Sequence, residues 1–270
     1  MKKLTLVIVA FAAMVFAACG NKTNGDAAGQ DSDTIVKSFE QQQIEASVKM
    51  HLDSIASEIS TKKFTPLYQA INNGEITLTP DEKKVKPTYL LDAAVANDLQ
   101  TIYQKYAAFA FLTTDKAVAK LYEMDTKAYE DAIAKLSADI NDPCLAKLQD
   151  KGTFQQIEKS IYDEEEKAGR INFFWIATCA ATIEQLYIAS QNADKFLQGY
   201  DDAAVSNITF RIVLILDALD NLSQYDAEIQ GLVEGITPLK KINATTVAEL
   251  KKELAEIKDD LAKSRQDMLD

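Results

Sequence analysis

The chain has 270 residues, with 41 acidic against 29 basic side chains and a formal net charge of −12. That balance argues against nucleic acid, whose phosphates are neutralised by Lys and Arg, and against attachment to anionic lipid by charge alone. Nine glycines and five prolines are few turn formers for this length, and the wealth of Ala, Leu, Lys, Asp and Glu predicts an all-α fold.

Residues 1–18 carry the parts of a secretory signal peptide: Lys2 and Lys3, an apolar run from Leu4 to Ala18, and small residues before Cys19. The run falls short of the roughly 20 residues that a membrane-spanning helix needs. Phe16-Ala17-Ala18-Cys19 resembles the lipobox of bacterial lipoproteins, with Phe16 where Leu is usual. The resemblance implies cleavage before Cys19 and lipidation of that cysteine, with palmitate among the acyl groups. It also implies a Gram-negative cell envelope, and the absence of Asp directly after Cys19 points to the outer membrane, facing the periplasm. An ordinary soluble secretory signal fits the same residues and stays open as the alternative.

Residues 19–33 are polar and lack periodicity, as expected of a disordered tether. A single helical domain is expected over 34–270. Its first helix is predicted over Thr34 to Ser60, with Val36, Phe39, Ile44, Val48, Leu52, Ile55 and Ile59 on or near one face. Thr79-Pro80-Asp81-Glu82 reads as a helix start. Pro87 interrupts, so a main helix is predicted from there to Leu112. Thr114 or Asp115 is the expected cap of the next helix, which runs to Ile140.

Asp142-Pro143 predicts a short helix, and Thr153 with Gln156 opens a capping box for a long helical region, broken near Gly169. The strongest periodicity runs from Val205 to Ile236 and misses only at Asp226. Its middle, Ile212 to Leu216, is apolar on nearly all sides, which predicts the central helix. Thr246 and Glu249 cap a C-terminal helix whose seam is Leu250, Leu254, Ile257, Leu261 and Met268. Edge docking on the bundle is the preferred reading of that narrow seam.

An offset of 84 residues pairs Tyr89-Leu90-Leu91 with Phe173-Phe174-Trp175, and the echo continues to Tyr103 and Tyr187. A duplicated helical hairpin and two core helices obeying one packing period both account for it. Together these readings give an antiparallel bundle of six to eight helices.

Catalytic sets are sparse. His51 is the only histidine, no glycine-rich phosphate loop occurs, and no cysteine pair has metal-ligand spacing, so neither a metal nor a cofactor is expected. Asp163-Glu164-Glu165-Glu166 reads as a solvated acidic face. Asp92 sits among apolar residues, and Arg170 and Arg211 are two of only three arginines. A buried carboxylate requires a partner, so Asp92 paired with Arg170 or Arg211 is the candidate buried ion pair or ligand site.

Cys144 and Cys179 form a candidate disulfide in an oxidising compartment, and Cys179 also fits as a small buried apolar residue. Asp33-Thr34-Ile35 resembles Asp-Ser/Thr-aliphatic O-glycosylation sites, which makes Thr34 the candidate acceptor. Tyr103, Tyr106, Phe109, Phe173, Phe174 and Trp175 are read as core rather than as a pocket lining. The leading expectation is a non-enzymatic, lipid-anchored helical protein binding a protein or envelope partner. The alternative is a solute-binding lipoprotein with a pocket between the echoing helices.

Overall fold

The computed structural model describes residues 39–61, 63–149 and 153–270. Cys19, Thr34, the signal segment and the tether lie outside the described residues. Among those described, the chain is all α-helical with no strand. No helix among them is long and apolar enough to cross a membrane.

The first helix, α1 (Phe39–Ser60), buries Val48, Leu52, Ile55 and Ile59 along the predicted face. A short helix, α2 (Leu67–Asn72), ends at Asn73-Gly74, where the backbone turns with φ of 75° at Gly74. Thr79 and Glu82 do exchange capping hydrogen bonds, yet only one 3-10 turn follows, Glu82–Lys84. Lys86 precedes Pro87, and a residue before proline is pushed out of the helical region.

The predicted helix from Pro87 does not form. Residues 89–91 spend their backbone groups on distant partners: Leu91 N–H donates to Asp115 Oδ2 at 2.9 Å, and the Leu91 carbonyl accepts from Tyr129 Oη. The Tyr89 carbonyl accepts from Arg265 Nη1. A 3-10 turn occupies Ala93–Asn97, and helix α3 (Ile102–Leu121) starts later, at a Thr101/Gln104 capping box.

Neither Thr114 nor Asp115 caps a helix. Thr114 Oγ1 donates back to the Ala110 carbonyl and Asp115 is wholly buried in mid-α3. The break comes instead at Glu123, whose φ of 55° is left-handed, before α4 (Lys127–Ile140). Asn141, with φ of 52°, closes α4, and a 3-10 segment spans Pro143–Gln149.

The Thr153/Gln156 capping box opens α5 (Phe154–Lys167) as expected, and Gly169, with φ of 70°, separates it from α6 (Ile171–Gln191). A single turn, α7 (Ala193–Phe196), leads to α8 (Asp202–Leu222). The periodicity predicted through Ile236 is split at the one residue that misses it. Asp226 accepts from the backbone of Glu228 and Ile229, capping α9 (Ala227–Gly235). The last helix, α10 (Val247–Asp267), carries the Thr246/Glu249 box and buries Leu250, Leu254, Ile257 and Leu261.

The central helix is α6, not α8. Trp175, Cys179, Ala180, Ile183 and Ile188 of α6 are fully buried, whereas Val213 of α8 is 53% exposed. Around α6 pack α3, α5, α8 and α10. The 84-residue echo is not a repeated structure: 173–187 lies inside α6, while most of 89–103 is loop and 3-10 turn.

One joint among these layers is polar. Arg265 of α10 reaches Asp115 Oδ2 of α3 and Glu184 Oε1 of α6, each at 2.7 Å. Its Nε lies 2.6 Å from Glu184 Oε2 but out of line for a hydrogen bond. Both carboxylates are inaccessible to solvent. The Tyr187 ring, 4.7 Å from the guanidinium carbon, covers it. Removing one partner of such a buried set leaves bare charge in the core and costs about 3–5 kcal/mol. Arg265→Leu should therefore lower the unfolding free energy by about that amount in urea titration, against about 1 kcal/mol or less for an exposed cation.

Candidate functional site

Helices α3, α5, α6 and α8 do not close completely on one another. Between them and the 143–149 turn lies a cleft with a volume of about 110 Å3. Its long walls are Phe109 and Ala110 from α3 and Phe173, Phe174 and Ala177 from α6. Tyr106 and Phe173 stack at one point of the wall, with ring centroids 4.9 Å apart and planes 12° from parallel. The aromatic residues read as core from their spacing are thus partly wall.

Two sets of charged side chains border this space. In the first, Arg211 of α8 holds Glu158 of α5 through two parallel hydrogen bonds, Nη1 to Oε2 at 2.9 Å and Nη2 to Oε1 at 2.5 Å. This fork-on-fork geometry is the strongest arrangement for the pair. The Phe64 ring lies 4.3 Å from the guanidinium carbon and adds a cation–π contact.

In the second set, Arg170 bridges two carboxylates. Its Nη2 donates to Asp142 Oδ1 at 2.8 Å and its Nε to Glu165 Oε2 at 3.1 Å. Asp142 also accepts from the Cys144 backbone N–H at 2.9 Å and from Tyr106 Oη at 2.6 Å. Its position before Pro143 lets it cap the 3-10 turn, and the same carboxylate faces the cleft. Glu165 Oε1 is buried and has no donor. One ligand atom each from Asp142, Cys144 and Glu165 lies within 4.8 Å of the other two, so the three residues are placed to hold a metal ion.

Burial, then the hydrogen-bonded neighbour Asp142, pushes Glu165 up to about 7. Burial also opposes the charge on Asp142, but Glu165, Tyr106 and the Cys144 amide hold its pKa below the usual range. Burial raises the Cys144 thiol, reinforced by Glu165. Cys179, in the centre of α6, is pushed by burial to about 12.

The predicted site residues are distributed differently from expectation. Asp92 is exposed and its carboxylate accepts from the Ala94 backbone as a cap. It pairs with neither arginine, because the apolar stretch around it is not a helix and its side chain points to solvent. Arg211 pairs with Glu158 in the interior, and the half-buried Arg170 pairs with Asp142 and Glu165. Cys144 and Cys179 are both free and buried, so the predicted disulfide is absent. The acidic run 163–166 is not uniformly solvated, since Glu165 is only 2% exposed while its neighbours meet Lys159, Lys147 and Lys49. His51 sits at the surface with Nε2 3.0 Å from Asp217.

Sequence reasoning missed Asp115, Asp142, Glu158, Glu165, Glu184 and Arg265. A signal existed for two of them. Glu158 and Glu165 share the helical face of Ile157, Ile161 and Tyr162, and acids on an apolar stripe need partners.

No family model, curated protein or solved structure matches the chain.

Away from the cleft, the sealed cluster around Arg265 gives the protein a pH signature of its own. Burial, with the adjacent Asp115 charge, raises Glu184 well above the ordinary carboxylate range, and burial raises Asp115 despite Arg265. A raised folded-state pKa means that the folded form binds more protons than the unfolded one. Its stabilising effect is complete below the unfolded value of about 4.3 and fades as pH rises through the folded value. Glu184→Gln, which mimics the protonated acid, should therefore gain stability relative to the parent between pH 5 and pH 8. Urea midpoints of both proteins at the two pH values measure it, and a pH-independent difference would exclude a proton held in this cluster.

Proposed function

We propose that the protein is a non-enzymatic, lipid-anchored binding protein of the bacterial envelope, whose helical domain takes a small apolar group into the cleft between α3, α5, α6 and α8. The observation that carries this reading is the cleft itself, an apolar space bordered by charged groups that are already held in fixed geometry. Such a space, with few polar groups to orient its occupant, has the general character of a ligand site. Its volume of about 110 Å3 is near that of cavities of ~150 Å3 that take up benzene. A single ring or a branch of a larger molecule fits that size.

The surface reading, in which a protein or envelope partner docks along the helices, has less support. The seam of α10 is consumed by the bundle. Among the described residues, the large exposed apolar side chains are Met50, Val85 and Val213, none of them on that helix.

Anchoring rests on the lipobox-like Phe16-Ala17-Ala18-Cys19, followed by a polar stretch long enough to hold the domain off the bilayer. Two acyl chains suffice for stable attachment where one does not.

Each half of the proposal has its own test. Saturable binding of a neutral fluorescent apolar probe such as phenylnaphthylamine is expected, and Ala177→Phe, which fills the cleft, should weaken it at least about tenfold. Ala248→Phe on the exposed side of α10 should not. Equal binding by all three proteins would refute the cleft as the site. For the anchor, Cys19→Ser should abolish metabolic lipid labelling and leave the helical circular dichroism unchanged, and labelling that survives would overturn the lipoprotein reading.

A further inference from the structure

The second charged set has more donor atoms than Arg170 uses. Its two carboxylates and one guanidinium leave a formal negative charge, and Glu165 Oε1, in a residue 98% buried by its 2% exposure, meets no donor. Leaving a buried carboxylate oxygen bare is costly. The oxygens that Arg170 does engage are Asp142 Oδ1 and Glu165 Oε2, so it orients both carboxylates without covering Glu165 Oε1. Tyr106 fixes Asp142 from another side. Ligating carboxylates oriented by outer hydrogen bonds are the usual surroundings of a protein metal ion.

We infer that Asp142, Cys144 and Glu165 form a three-residue site for a borderline-soft divalent cation, Zn2+ in the first place. The donor set decides the class. Ca2+ takes six to eight oxygens and Mg2+ keeps near-octahedral oxygen geometry, which two carboxylates and a thiol do not supply. Thiolate with carboxylate matches zinc, whose sites with three protein ligands leave one position open. Charge agrees as well: two carboxylates and a thiolate are balanced by one dication and Arg170. Binding forms the metal–sulfur bond as the thiol proton leaves to solvent, with no redox change. The same three residues line the cleft, so the open position faces the space assigned above to a ligand. The metal site does not depend on that assignment.

Outside the trio, the Cys144 thiol donates a weak hydrogen bond to Glu164 Oε2 at 3.7 Å. Glu164 is half exposed and already paired with Lys147, so the thiol gives up this weak contact at little cost when it turns to the ion.

Co2+ titration of the full chain carrying Cys19→Ser, so that Cys144 and Cys179 are its only thiols, tests the site. One equivalent should bind with a thiolate-to-cobalt charge-transfer band, and Zn2+ should bleach it. Cys144→Ser should remove the band and Cys179→Ser should keep it. Tyr106→Phe, which leaves every ligand in place, should weaken affinity about 10–100-fold and decides the matter if Cys144→Ser fails to fold. No saturable cobalt binding, or a band that survives Cys144→Ser, would overturn the assignment and leave a shared proton as the occupant.

Discussion

The fold depends on one guanidinium more than on any apolar contact. Arg265 is the third-last residue of α10 and joins that helix to α3, α6 and the loop at Tyr89 in a single set of hydrogen bonds. Buried ion pairs are poor sources of net stability, because desolvation consumes much of the attraction. Their effect is on register. The seam of α10 is a row of Leu and Ile that would pack almost as well one turn further along, a shift of about 5.4 Å. Such a shift would strand Asp115 and Glu184 in the core. Arg265 therefore rejects alternatives that the apolar pattern alone would tolerate.

The same logic explains the irregular stretch 89–91. A helix there would have satisfied its own backbone. The observed loop satisfies Asp115 and Arg265 instead, with Tyr129 closing the last carbonyl. Apolar sequence and a proline start favour helix locally, and the polar core overrides them. Local propensity is a weak prior against buried charges that need partners.

Much of the fold was legible in the sequence, and the losses share a cause. The Thr153 and Thr246 capping boxes, the break near Gly169 and the faces of α1 and α10 follow from residues within a few positions of each other. Asp226 was the visible flaw in the longest periodic run, and it proved to be a cap. The choice of α8 as central failed because Val213, inside the apolar run Ile212–Leu216, faces solvent, whereas α6 hides Glu184 inside an apolar helix. What the sequence did not show is which carboxylate meets which arginine. Asp115 resembles a cap in isolation, and only the approach of α10 from 150 residues away makes it a core residue. The alternative reading set a pocket between the echoing helices, whereas the α6 wall of the cleft faces α3 beyond the echo and its charged borders come from α5, α8 and the 143–149 turn.

Arginine is the residue suited to this work: it stays charged, forks onto carboxylates and is weakly hydrated. The chain has three, at positions 170, 211 and 265, and each is committed to buried carboxylates. At Arg211 the count is even, one cation to one anion. At Arg170 and Arg265 there is one carboxylate too many, and a low-dielectric interior does not tolerate the surplus charge. Around Arg265 the core is sealed, so a proton is the only neutraliser that can arrive. Around Arg170 the same imbalance borders a cleft and includes a thiol, so a larger cation can enter and find soft and hard donors together. Equal charge arithmetic thus leads to a structural joint in one place and an open site in the other, and the difference is access.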